Sequence, residues 1–224
     1  DWKVEEVKYV ERRFCVLDLD ITSDRNPGER RSYMTTSKTR VRQGNTNEER
    51  AIPSTMRAAV LFGPQDIRVV EKPVPNPGYG EVLVRVAMCG TCGTDLKIYD
   101  GHFPQTPPFG EFTPGHEWTG TVVALGESVD ELAVGDRVCI EAHHGCGRCD
   151  NCLVGRYTAC LNYGDRSKGH RATGMTTDGG FAEYVVHNVS SLYKLPECVS
   201  YEDAVLITTA GTGLYGLDAV GGYV

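Results

Sequence analysis

From Met56 onward the chain breaks into short apolar runs punctuated by glycine and proline. Residues 58–62, 67–71 and 82–88 are rich in Val, Ile and Leu and have the length of strands. Residues 72–80, Lys-Pro-Val-Pro-Asn-Pro-Gly-Tyr-Gly, separate the last two runs and are too rich in proline for helix. Strand-like runs resume at 119–125, 137–141 and 181–187. Helix signals are few. Thr94 or Asp95 is placed to cap a short helix reaching Tyr99. Ser200-Tyr-Glu-Asp203 has the form of a capping box, opening a helix through 204–207 towards Ala219. Many short strands with a few helices predict a mainly β fold, a compact barrel that ends where a helix leads elsewhere.

The first 55 residues have a different texture. Residues 23–50 are poor in large apolar groups and rich in Arg, Ser, Thr, Asn and Glu. Such a segment buries too little surface to offset its ordering entropy. We therefore expect 1–55 to be a disordered extension, or read-through of upstream sequence, with Met56 as the natural start; a genuine N-terminal extension is the alternative. Charge divides at the same place: 1–55 carries 11 basic and 10 acidic side chains, within a chain of net charge −7. No basic stripe with interleaved aromatics accompanies that balance, so nucleic acid is not an expected partner. No apolar run approaches the roughly 18–20 residues that span a bilayer, and no signal peptide opens the chain, so no membrane partner is expected either. The nine cysteines are an odd number without a secretory signal, which fits a reducing compartment, the cytoplasm, better than a disulfide scaffold.

Four of those cysteines, Cys146, Cys149, Cys152 and Cys160, have the spacing C-x2-C-x2-C-x7-C. Four soft thiolates in one short loop suit a closed tetrahedral zinc site, which holds structure and leaves no position for chemistry. A second constellation lies upstream. Cys92, in Cys-Gly-Thr-Asp, and His116, in Gly-His-Glu, are both good zinc ligands, but they are 24 residues apart and only the fold can join them. Taken alone they would read as a buried cysteine and a satisfied histidine. Asp95 is suited to accept the second ring N–H of a zinc-bound histidine. Thr94 offers a hydroxyl able both to donate to and to accept from a substrate oxygen.

With these residues in place the chain resembles the zinc-dependent medium-chain alcohol dehydrogenases. The run from Gly115 to Val129, Gly-His-Glu-Trp-Thr-Gly-Thr-Val-Val-Ala-Leu-Gly-Glu-Ser-Val, is similar to that family's zinc signature throughout. Gly135-Asp-Arg-Val138, the four-cysteine lobe and Asp178-Gly-Gly-Phe-Ala-Glu-Tyr184 follow in the family's order. Cys-Gly-Thr-Asp with His-Glu looks most like the sorbitol and threonine dehydrogenase branch.

The resemblance covers about residues 56–224. It implies a GroES-like catalytic barrel at 56–200 with a structural zinc lobe at 141–164, then a helix at 201–224 leading to a Rossmann domain. It implies two zinc ions, one catalytic on Cys92, His116 and Glu117, and one structural on the lobe cysteines. Glu117 would be a ligand or an exchangeable one, Thr94 would hydrogen-bond the reacting oxygen, and Asp95 would orient His116. NAD or NADP would be the cofactor of the full-length protein. The substrate would be a small alcohol or polyol, and the assembly a homo-oligomer.

Two departures qualify that picture. The family places a third ligand, Cys or Glu, near the start of the helix after the barrel. Here the matching stretch, Leu206-Ile-Thr-Thr-Ala-Gly, puts Thr208 or Thr209 there, and a neutral hydroxyl is a weak zinc ligand. Either Glu117 completes the site or the metal is held loosely. Second, Gly211-Thr-Gly213-Leu-Tyr-Gly216 has dinucleotide-fingerprint spacing, but only eight residues follow it. The strand and acidic residue that give the motif meaning have no room. We expect a helix-packing motif, and the Rossmann domain absent from this chain. A non-catalytic GroES-like structural zinc module remains the competing function. A zinc-free reductase relative is disfavoured by the intact lobe and the Cys92/His116/Glu117 set.

The remaining candidates are weaker. His143 and His144, next to the lobe, are expected in solvent as readily as at a substrate. Lys97 stands where relatives often carry a relay histidine, and Tyr99 either lines a cleft or packs its helix. Cys15, Cys89, Cys139 and Cys198 are expected as small apolar residues. His102, His170 and His187 have no supporting context.

Overall fold

The structure is a computed structural model that describes residues 51–222. The expected disordered segment therefore lies outside the described residues except for its last five, and so does Cys15.

Alternation of apolar and polar positions sets the first hairpin. In β1 (Thr55–Gly63) Met56, Ala58 and Val60 turn inward while Thr55 and Arg57 face solvent. β1 pairs antiparallel with β2 (Asp66–Pro73). The central sheet has five strands, formed by β3 (Glu81–Gly90), β4 (Glu117–Leu125), β5 (Arg137–Ile140), β8 (Tyr184–Asn188) and β9 (Leu192–Lys194). Their order is β8-β3-β4-β5-β9, and every neighbouring pair is antiparallel. A two-strand ribbon, β6 (His143–His144) with β7 (Arg171–Ala172), flanks it. β1 is drawn onto this framework by backbone bonds, Ala59 N to Phe181 O at 2.8 Å and Leu61 N to Phe112 O at 2.9 Å.

Two clusters of apolar side chains hold these layers. Val82, Val84, Trp118, Val122, Val138 and Ile140 form the centre of the sheet's inner face. Trp118 is 1% exposed, and its Nε1–H donates to Thr173 Oγ1 at 3.1 Å, so its one polar group is satisfied on burial. Leu61, Ile98, Phe112 and Met175 form the second cluster, beneath α1 (Gly93–Tyr99). Ile98 has no exposed surface, and this anchor fixes the helix whose N-terminus carries Cys92.

The predicted strands are present with shifted ends. β5 stops at Ile140, and β8 starts at Tyr184, three residues later than expected. Residues before β8 still bind the framework, through the isolated bridge between Ala58 and Ala182. The cap of α1 differs from expectation: Cys92 is the N-cap, not Thr94 or Asp95. Asp95 instead sits in the first turn and reaches back, accepting the Cys92 N–H at 2.8 Å. The last helix is also not continuous. α3 (Tyr201–Ala204) begins at the predicted Ser200 cap, and the chain then breaks at Val205–Leu206 before α4 (Ile207–Ala219). Gly211, Gly213 and Gly216 lie within α4, so the fingerprint spacing is helical as expected. The packing expected of them is not made among the described residues, since a Cβ at any of the three would meet open space.

Candidate metal centres

The first centre forms where β3, α1 and β4 converge. β3 and β4 stay paired across two register shifts as far as Gly90 opposite Glu117, so the segment after β3 and the start of β4 lie side by side. Cys92 follows β3 by two residues, and His116 immediately precedes β4. Gly115 makes this approach possible. Its φ of +95° is favourable only for glycine, and an added Cβ would lie 2.8 Å from Phe181 N and 2.9 Å from Cys89 Sγ. The 174–181 segment packs onto the same backbone, with Gly180 N donating to Gly115 O at 2.8 Å.

The result is a thiol, an imidazole and a carboxyl whose ligand atoms lie within 4.8 Å of one another: Cys92, His116 and Glu117. His116 and Glu117 are buried and Cys92 is partly so. Asp95 supports both sides of the centre. One carboxylate oxygen holds the Cys92 backbone, and the other, Oδ1, lies 3.3 Å from His116 Nδ1. That pair has ion-pair distance, but its geometry leaves both buried atoms without a formal hydrogen bond. Burial lowers the His116 pKa, yet the Asp95 carboxylate and the Cys92 sulfur more than offset it and raise the group to about 8. The Asp95 carboxylate and Cys92 sulfur that raise it would also favour a bound cation. Three ligands of zinc-binding type converging there satisfy the chemistry of a zinc site.

Thr94 Oγ1 lies 3.9 Å from Cys92 Sγ, at the edge of this centre. The two threonines on α4 divide between different tasks. Thr208 donates to Ile140 O at 3.2 Å and ties the helix to β5, while Thr209 donates to Glu117 Oε1 at 2.9 Å.

The second centre is the lobe. Cys146, Cys149, Cys152 and Cys160 have all four sulfurs within 4.8 Å of one another. The Cys146–Cys152 and Cys149–Cys160 sulfur separations are both 3.9 Å. A tetrahedron with Zn–S of ~2.3 Å has edges of about 3.8 Å, so the cage has the right size. Donors surround the sulfurs: Cys160 accepts from Cys146 N and Asn162 N, Cys149 from Leu161 N, and Cys146 from Asn162 Nδ2. The Arg148 backbone N–H, aided by Asn162, pulls the Cys146 thiol down to about 6. Burial acts oppositely on Cys152, pushing it up to about 12, so a metal must displace that proton. α2 (Asp150–Leu153) carries Cys152 and begins after Cys149.

Other sequence candidates fall elsewhere. Lys97 is exposed at the end of α1. The Tyr99 hydroxyl donates to Gln65 O at 2.9 Å and packs its helix. His144 Nδ1 is 3.0 Å from Ser190 Oγ, and His143 Nδ1 is 3.6 Å from Glu141. Cys139 is buried in the sheet and Cys89 partly buried, as expected, whereas Cys198 is exposed. His170 and His187 are both fully buried, a property that spacing alone did not reveal. No helix among the described residues is long and apolar enough to cross a membrane.

A match to the alcohol dehydrogenase GroES-like domain family spans residues 78–197, and the chain belongs to that family. Sorbitol dehydrogenase of Bacillus subtilis (strain 168) is 34% identical over 168 residues, covering 73% of this chain and 45% of its own length. Acetophenone reductase from Geotrichum candidum, solved in complex with NAD, superposes with a TM-score of 0.62 at 31% identity, over 70% of this chain and 45% of that one. A thermostable alcohol dehydrogenase from Pyrobaculum aerophilum, solved with cobalt and zinc bound, gives a TM-score of 0.60 at 31% identity, over 69% and 45%. The chain thus spans about half the length of the curated relatives it matches.

Proposed function

We propose that this chain is the catalytic-domain portion of a zinc- and NAD(P)-dependent dehydrogenase that interconverts a small alcohol or polyol and its carbonyl compound. The observation that carries this reading is the convergence of Cys92, His116 and Glu117 beside a separate four-cysteine cage. Relatives that act on sorbitol, or that are solved with NAD or with zinc, support it. In that scheme 56–200 is the GroES-like domain, 141–164 its lobe, and the segment from 201 onward, with α3 and α4, leads towards a nucleotide-binding domain. The thiol-rich composition supports a cytoplasmic setting, and the full-length protein is proposed to be a homo-oligomer.

When bound, zinc supplies Lewis-acid polarisation of the substrate oxygen, and the nicotinamide supplies hydride exchange. The chain's own residues do the rest. Cys92 and His116 would hold the metal, and Glu117 would complete the set or exchange on it. Asp95 fixes the imidazole by facing Nδ1, which leaves Nε2 for the metal. Thr94 Oγ1 would hydrogen-bond the substrate hydroxyl and, in accepting its proton, would pass its own to water, since a hydroxyl is both donor and acceptor. The Cys146, Cys149, Cys152 and Cys160 cage would hold the structural ion.

Metal content per folded chain tests the reading, with Cys92→Ser alongside the wild type. Two zinc ions falling to one in the variant is the expected result. One zinc in both proteins would leave only the lobe filled and would favour a structural module instead.

A further inference from the structure

We propose that Thr209 is a positioning residue for Glu117, fixing which carboxylate oxygen faces the metal centre. This inference rests on the reading of Cys92, His116 and Glu117 as a zinc site. Glu117 is a buried carboxylate at the first position of β4, and Thr209 reaches it from α4, 92 residues further along the chain. The hydroxyl donates to Oε1 at 2.9 Å. The other oxygen, Oε2, lies on the side of Gly90, where a Cβ would approach it to 3.1 Å. From Gly90 the chain runs on to Cys92, so Oε2 is turned towards the end of the centre where the thiol sits. With Oε1 engaged by a neutral donor and its rotation restrained, the carboxylate presents Oε2 as its less occupied oxygen. A carboxylate free to rotate would offer either oxygen or both.

The neighbouring threonine sharpens the assignment. Thr208 is turned away and bonded to the Ile140 carbonyl, so its hydroxyl is occupied in holding α4 to the sheet. That anchor sets the position of the helix, and Thr209 exploits it. A neutral hydroxyl is a weak zinc ligand, and the contact Thr209 makes is its bond to Glu117 Oε1. The residue acts on the metal through the carboxylate. It also links occupancy of the centre to the seating of α4, which has no buried residue of its own.

The test uses the 224-residue chain as wild type, Thr209→Val, Thr209→Ser and Cys92→Ser. Zinc affinity at each centre is measured by chelator competition, and cobalt(II) is used separately for its ligand-field spectrum. Partners that orient a metal ligand contribute about 10–100-fold in affinity. Thr209→Val, which keeps the shape and loses the donor, is expected to weaken the Cys92-dependent site by at least about tenfold. The same variant should alter the cobalt spectrum while leaving the lobe's affinity unchanged. Thr209→Ser should restore both affinity and spectrum. Unchanged affinity and spectrum in Thr209→Val would overturn the proposal. So would equal losses in the valine and serine variants, since the hydroxyl would then not be the group that matters. A wild type holding one metal that Cys92→Ser leaves in place would sink the zinc-site reading itself, and this inference with it. Two wild-type metals, one of them lost in Cys92→Ser, together with an indifferent Thr209→Val would remove only the role of Thr209.

Discussion

Replacing Cys160 with serine is expected to remove one metal per chain and to unfold the lobe, leaving the sheet standing. The lobe has almost nothing else to hold it. α2 and the 3-10 turn at Tyr157–Ala159 contain no buried residue. Its large apolar side chains face outward, with Leu153, Val154 and Leu161 between 65% and 70% exposed. Without an apolar core, closure of this loop depends on the metal, and structural zinc in small modules contributes ~10–16 kcal/mol of apparent binding energy. Cys160 is itself buried and accepts two backbone N–H groups, and the smaller serine oxygen sits less well for those bonds. Limited proteolysis should cut Cys160→Ser within 145–164 while the wild type resists. Cys139→Ser provides the control, because that thiol sits in the sheet and ligates nothing, so metal content should not change. Wild-type metal content and protease resistance in Cys160→Ser would rule this account out.

The lobe was also the most legible part of the site, and for the same reason. Its four ligands lie within one short loop, so linear spacing is close to spatial spacing. The other centre joins residues from three segments, and no local spacing specifies that convergence. The motifs flanking Cys92 and His116 marked them, but the 4.8 Å grouping with Glu117 is a product of β3 and β4 pairing to their ends. Thr208 and Thr209 show where sequence reasoning stops. Adjacent residues on a helix point about 100° apart. Which of the two faces the centre depends on how α4 is seated, and that in turn depends on the break at Val205–Leu206, which no glycine or proline announces.

Strands were legible wherever an apolar run of strand length was bounded by glycine or proline, as in β1, β2 and β3, although only β1 alternates clearly. β6 and β7 are two residues each, too short for any period to show. His187 was missed for a different reason. Its sequence neighbours supply no chemical context, and its parity in the strand is the useful signal. β8 buries Val185 and His187 on one face, with Tyr184, Val186 and Asn188 less buried between them. Reading the histidine as an inward position of an alternating strand would have identified it.

That buried histidine leads to a pH dependence with a definite sign. His187 is 2% exposed, pairs with Val82 in the sheet, and its Nε2 has no hydrogen-bond partner. Burial, reinforced by the charges of His144, Arg171 and His143, holds its pKa down to about 3. An unfolded chain returns the group to about 6.5. At pH 7.5 neither state is protonated and the group contributes nothing to the difference. As pH falls below about 6.5, the unfolded state binds a proton that the folded state refuses, so stability falls with pH. The slope approaches ~1.4 kcal/mol per pH unit and the loss reaches about 2 kcal/mol at pH 5. It levels off only below about 3, where the folded state also takes the proton. His170 adds to the loss with the same sign. It is fully buried, its Nδ1 accepts the Gly164 N–H at 3.1 Å, and burial first, then neighbouring positive charge, lowers it to about 4. Acid also protonates the metal-binding thiolates, so the wild-type curve alone does not isolate the histidine. His187→Gln keeps a polar side chain and removes the titration. Urea unfolding of both proteins at pH 7.5 and pH 5 should show the variant losing about 2 kcal/mol less than the wild type, because the thiolate contribution is common to both. Equal losses in the two proteins would mean that His187 takes up its proton in the folded state at little cost, through an opening that the closed sheet does not show.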